Sequence, residues 1–225
     1  MNYSVKWVEQ LPFSIWWGIS ISWYETIIIY LALLLIVFSF SLKKTKLLIF
    51  SGMTTILILG SFQVKSYNIN HTNEIVVYNV KDEIAIDIYY GNKNLFLASE
   101  NLFKNEDKLL FHIQHYWFYK FGNEGAYEFL DINKLSSPIL RLDNDTYSIF
   151  DKNVNPTPYS TDYVIIGETD YINETTLNKW KADQTTLIVH PKCTNNIKGY
   201  LKKNYPKKLQ YNISENGAFI TSFSS

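Results

Sequence analysis

Residues 26–42 read TIIIYLALLLIVFSFSL and residues 47–64 read LLIFSGMTTILILGSFQV, uncharged runs of 17 and 18 residues. They lie between Glu25 and Lys43, and between Lys46 and Lys65. A helix crossing a bilayer needs about 20 apolar residues, with roughly 17 near the lower limit. Backbone in lipid has to satisfy its own hydrogen bonds, which a pair of helices does. The sequence therefore predicts a transmembrane helical hairpin over residues 25–65. The alternative, two buried helices of a water-soluble protein, calls for a polar face on each helix, and neither run has one. Lys43, Lys44 and Lys46 crowd the turn, against Glu25 and Lys65 on the outer flanks. Positive charge in short loops marks the cytoplasmic side, so both ends of the hairpin are expected on the extracytoplasmic side.

Residues 1–24 contain Trp7, Trp16, Trp17 and Trp23, with Val5, Val8 and Leu11 spaced as one helical stripe before Pro12. Tryptophan favours the headgroup region. This stretch reads as an amphipathic segment lying in the outer interface; an ordinary exposed arm is the plainer alternative. No basic n-region or small-residue cleavage site flanks the apolar run, so a cleavable signal is not expected.

Residues 66–225 are long enough for one domain with its own core. Beyond Lys65 there are 16 Lys and Arg against 19 Asp and Glu, with Arg141 the chain's one arginine. A mildly acidic domain is not a general nucleic-acid platform, so any DNA contact has to come from a local patch. Cys193 is the single cysteine and can form no intrachain disulfide.

IVVYNV (75–80), EIAIDIYY (83–90) and LFLAS (95–99) are β-branched and aromatic runs separated by short polar turns, which predicts a three-strand meander. Residues 105–121, NEDKLLFHIQHYWFYKF, carry acids in the first turn, Lys120 in the last, and Leu109, Leu110, Ile113, Trp117 and Phe118 at helical spacing. Strands are expected at 127–132, at 139–142 and, after Asn144-Asp145, in TYSIF. From DYVIIG onward the rhythm is strand, helix (173–181), strand (185–190), helix (197–203), and strands in LQYNI and GAFITSF. The expectation is α/β (α+β): a mixed sheet with packed helices.

The chemical inventory is thin. His112 and His115 can share a helix face, with Glu106 or Asp107 within reach, but no third ligand completes a metal spacing, and a surface pair is the plainer reading. Cys193 lacks a partner that would activate it. No glycine-rich phosphate loop, G-x-S-x-G or D-x-D cluster is present, so no cofactor and no small-molecule substrate are expected. Asp87, inside EIAIDI, is expected on the solvent face of its strand. Lys202, Lys203, Lys207 and Lys208 form a basic run that reads as a solvated helix end or as a DNA-contacting group.

The hairpin and the closing segment, DYVIIGETDYINETTLNKWKADQTTLIVHPKCTNNIKGYLKKNYPKKLQYNISENGAFITSF, resemble the C-terminal part of ComEC-type DNA-uptake channel proteins. So does WVEQLPFSIWWGISISWYE ahead of the hairpin. In that family the last membrane helices precede an extracytoplasmic metallo-β-lactamase-like domain. The resemblance implies such a domain over 66–225, and the departures imply that it is degenerate. Where catalytic members have a Gly-Gln-Gly-Asp turn, this chain has Asn79-Val80-Lys81-Asp82-Glu83-Ile84. No His-x-His-x-Asp-His motif occurs between Leu95 and Phe150, and Gly167 is followed by Glu168-Thr169 rather than by two histidines. Without those ligands a metal-activated hydroxide has no support.

The resemblance thus implies a non-catalytic module of a competence (transformation) channel in the bacterial inner membrane. Its expected partners are other membrane segments or subunits of the channel, membrane lipid and DNA, since two helices alone enclose no path for a DNA strand. Two other readings stay open: an envelope interaction protein unrelated to competence, and a residual nuclease using His112, His115, Asp87 and Asp131.

Overall fold

The computed structural model describes residues 21, 23–70, 72–91, 93–121, 127–135, 137–152 and 160–223. Most of the proposed interfacial segment 1–24 lies outside them. Chain contacts divide the molecule into two units, residues 1–71 with 116–125, and residues 72–115 with 126–225.

The first unit contains α1 (Trp23–Leu42) and α2 (Thr45–Asn70). At 20 residues, α1 is about 30 Å long, the thickness of a bilayer core. It is long and apolar enough to cross a membrane; the apolar part of α2, Thr45–Ser61, is shorter. The turn is tighter than the lysine cluster suggested. Lys43 takes a left-handed backbone (φ 51°), and Lys46 already belongs to α2. Mostly small and polar residues line the seam between the helices: Glu25, Ala32, Ser39 and Ser51 are buried, together with Ile58. Ser61 Oγ donates to Glu25 Oε1 at 3.1 Å, and Ser51 Oγ to the Ala32 carbonyl at 3.3 Å. Leu33, Val37, Phe40, Ile49, Ile56 and Leu59 face outward. An apolar exterior around a polar seam reverses the water-soluble pattern and suits a lipid surround.

The second unit holds two five-stranded mixed sheets. The first has the order β10-β1-β2-β3-β4, from β1 (Glu74–Val77), β2 (Ala85–Tyr90), β3 (Lys93–Ala98), β4 (Tyr127–Asp131) and β10 (Phe219–Ser222). The second has the order β5-β6-β7-β8-β9, from β5 (Ile139–Leu142), β6 (Asp145–Phe150), β7 (Tyr163–Ile166), β8 (Thr186–Val189) and β9 (Gln210–Asn212). The three-strand meander is present as expected, antiparallel with Ile75 opposite Ile88 and Ile88 opposite Leu95. In the second sheet β6, β7, β8 and β9 run parallel.

Period-two alternation sends Ile75, Val77, Ile86, Ile88 and Leu97 of the first sheet into one core with Tyr147, Ile149, Ile165 and Ile188 of the second. The other face of the second sheet is covered by α6 (Glu174–Ala182) and α7 (Asn195–Asn204) through Leu177, Trp180, Ile197 and Leu201. Short helices α3 (Glu100–Phe103), α4 (Glu106–Leu109) and α8 (Ile213–Asn216) belong to this unit, whereas α5 (His115–Phe121) falls, from residue 116 on, in the first. The helix expected over 105–121 contains a π-helical turn at Leu110–Gln114 between α4 and α5.

Candidate functional site

Parallel strands present their C-terminal ends on one edge, so side chains from distant loops meet there. Just past β6, β7 and β8 stand Asp151, the pair Gly167-Glu168, and the segment His190-Pro191-Lys192. Lys192 Nζ lies 3.2 Å from Asp151 Oδ2 and 3.9 Å from Glu168 Oε2. Lys152 Nζ lies 3.8 Å from Glu168 Oε1. Asp151 Oδ1 also accepts the Glu168 backbone N–H at 2.6 Å. The Asp151–Lys192 pair is largely out of water, with side chains 5% and 15% exposed.

Gly167 is required by this packing. A Cβ there would collide with the Asp151 carboxylate and come within 2.7 Å of Ile84 Cδ1.

His190 is fully buried and uses both ring nitrogens. Nδ1 accepts the Lys192 backbone N–H at 3.2 Å, so Nε2 carries the proton and donates to the Tyr78 carbonyl at 3.2 Å. This bond ties the end of β8 to the end of β1, one strand from each sheet. Burial pushes the His190 pKa down to about 3, with Lys192 and Lys198 lowering it further and the bond to Tyr78 opposing them. Cys193 is buried beside it, and burial raises its thiol to about 11.

Asp87 is not on a solvent face, contrary to the expectation from its strand. It is wholly buried on the outer side of the first sheet, where Val76, Tyr89, Phe96 and Ala98 are buried as well. Tyr78 Oη donates to its Oδ2 at 2.5 Å and Tyr89 Oη to the same oxygen at 3.1 Å. Burial, with the Asp87 charge adding to it, raises the Tyr78 hydroxyl well above the usual tyrosine range. The signal was present in the sequence: IVVYNV and EIAIDIYY are apolar or aromatic on both faces, as in a strand covered on both sides.

The four residues of the nuclease reading are not assembled. Asp87 aligns with Phe129 on β4 through Phe96, so Asp131 lies two strands away and two residues along, at least about 10 Å distant. Asp131 Oδ1 instead accepts Asn133 N at 3.0 Å. His112 sits in the π-helical turn with its ring edge-on to Phe111, and His115 is exposed. Among the described residues no three of His, Cys, Asp and Glu are placed to hold a metal ion.

The model of the ComEC C-terminal domain matches residues 75–223. The chain belongs to the ComEC C-terminal domain family. That family is membrane-associated and belongs to competence DNA uptake. No curated protein and no solved structure matches the chain. The match takes in both sheets and the strand-end cluster.

The ComEC match also takes in the basic run. Lys202 and Lys203 occupy the last turn of α7, and Lys207 and Lys208 the 3-10 turn Lys207–Leu209; all four are exposed. Two of them complement the negative end of the helix dipole. The corner they stand on is firmly held. Tyr205 Oη donates to the Trp180 and Thr185 carbonyls at 3.0 and 2.5 Å. Gln210 Nε2 donates to the Leu201 and Tyr205 carbonyls at 3.1 and 2.7 Å.

Proposed function

We propose that this chain is a non-catalytic C-terminal module of a DNA-uptake channel in the bacterial inner membrane, supporting assembly of the channel or passage of DNA. Its domain is read as a degenerate metallo-β-lactamase-like sandwich, held on the extracytoplasmic side by a hairpin whose lysine-rich turn faces the cytoplasm. The other membrane segments or subunits of the channel, together with lipid, are its partners.

The observation that carries the non-catalytic reading is the Lys192 ammonium at the strand ends. A hydrolytic metal needs three or more protein ligands and an open position for water. The residues present do not fit that requirement. The Asp151 carboxylate is engaged by Lys192 at 3.2 Å and by the Glu168 backbone, and Glu168 faces two ammonium groups. His190, the histidine of this edge, spends both nitrogens on backbone groups.

Two assays test the proposal. In a transformable cell that carries this chain, removing residues 75–223 is expected to reduce transformation, and undiminished transformation would refute the uptake role. Purified full-length chain offered Zn²⁺ or Mn²⁺ is expected to leave labelled DNA intact; metal-dependent cleavage would refute the non-catalytic role.

A further inference from the structure

The domain is mildly acidic overall, yet between Asp183 and Glu215 it has six lysines and no acidic residue. Two of the six are used internally: Lys192 pairs with Asp151, and Lys198 Nζ donates to the Pro191 carbonyl at 3.1 Å. The remaining four are Lys202, Lys203, Lys207 and Lys208. Among the described residues none of these makes an ion pair or a side-chain hydrogen bond, and Tyr205 and Gln210 fix the turn that carries them.

The same helix face continues toward its N-terminus through Gly199, Asn196 and Asn195, all exposed. Glycine inside a helix is unfavourable and is kept where a backbone or ligand must come close. A Cβ on Gly199 would meet nothing within 4 Å, so no neighbour among the described residues explains it. The apolar side of α7, Ile197 and Leu201, is spent on the core. The outward face is therefore polar throughout and lacks the apolar side chains with which an interfacial helix enters lipid.

We propose that the exposed face of α7 and the turn after it form a sequence-independent docking rail for a nucleic-acid phosphodiester backbone. The four lysines contact phosphates, the Asn195 and Asn196 amides lie along the strand, and Gly199 leaves room for it. The inference rests on the uptake reading for the identity of the polymer, and on charge and shape for the rest.

The test is binding of a fluorescein-labelled thymidine oligonucleotide by full-length chain in neutral detergent, titrated between 50 and 200 mM salt. Four phosphate contacts on a single strand give a slope of about −2.8 in log affinity against log salt, or about 50-fold weakening over that range. Replacing all four lysines by glutamine is expected to flatten the slope and lower affinity at least about tenfold at 50 mM salt. Gly199→Leu keeps every charge, and its Cβ meets nothing within 4 Å; it is expected to weaken binding several-fold with the slope retained. The control pair Lys104→Gln and Lys134→Gln, at the exposed Glu100 ion pairs, should bind as the wild type does. Burial of Cys193 shows that each variant is folded.

A slope that survives in the quadruple variant, a Gly199→Leu chain that binds unchanged, or preference for phosphatidylglycerol vesicles over the oligonucleotide would each overturn the proposal. Because this assay makes no reference to uptake, its outcome separates from the deletion experiment. A chain that fails to bind while its deletion still abolishes transformation loses the rail and keeps the channel role.

Discussion

Between pH 7 and pH 5 the strand-end edge is expected to lose about 2 kcal/mol through His190 alone. The ordinary histidine pKa is about 6.5 in an unfolded chain, while in the folded domain burial holds His190 at about 3. A base that stays neutral when folded but charges when unfolded favours the unfolded state as protons are added. Its contribution is fully present above pH 6.5 and is lost progressively as pH falls from there toward 3. Cys193 provides the readout, being the one cysteine of the chain and buried three residues after His190. Its reaction with 4,4′-dithiodipyridine, divided by the rate for denatured chain at the same pH, reports the free energy of local opening in full-length protein. The expected loss of protection is about 25-fold between pH 7 and 5, the factor matching that free energy. His190→Gln keeps a donor for the Tyr78 carbonyl and does not titrate, so its protection should change much less. Equal pH dependence in the wild type and His190→Gln would refute the reasoning.

Other expectations use the same probe. Lys192→Met leaves the Asp151 carboxylate buried without its ammonium and should cost about 3 kcal/mol; adding Asp151→Asn should recover most of that loss. Gly167→Ala forces its methyl group against the Asp151 carboxylate and Ile84, and should destabilise by about 2 kcal/mol in the same measurement. Gly199→Ala should stabilise by about 0.8 kcal/mol, because the site is an exposed helix interior with open space around it; a loss of protection there would show an unrecognised contact.

Local chemistry made much of the fold readable. The meander followed from β-branched runs and short turns. The helix expected over 173–181 is α6, Glu174–Ala182, where the Asn173 side chain accepts the Thr175 N–H at 3.3 Å. What stayed hidden depends on partners distant in sequence. β10 pairs with β1, placing Ile220 opposite Val76, and β3 pairs in parallel with β4 across the intervening helices. Nothing local encodes either choice. The Asp151, Glu168 and Lys192 cluster was hidden for the same reason: three loops meet only once the parallel register of β6, β7 and β8 is known. The π-helical turn interrupts a stretch whose helical periodicity is unbroken in sequence. Asp87 was misplaced because a lone acid in a strand ordinarily marks the wet face, whereas two tyrosine hydroxyls satisfy it inside.

The most direct test of the central claim is the amount of DNase-protected labelled DNA in transformable cells carrying the native gene, an in-frame deletion of residues 75–223, or the deletion complemented in trans. The account predicts that internalised DNA falls on deletion and returns on complementation. Equal protected DNA in the first two strains would contradict it.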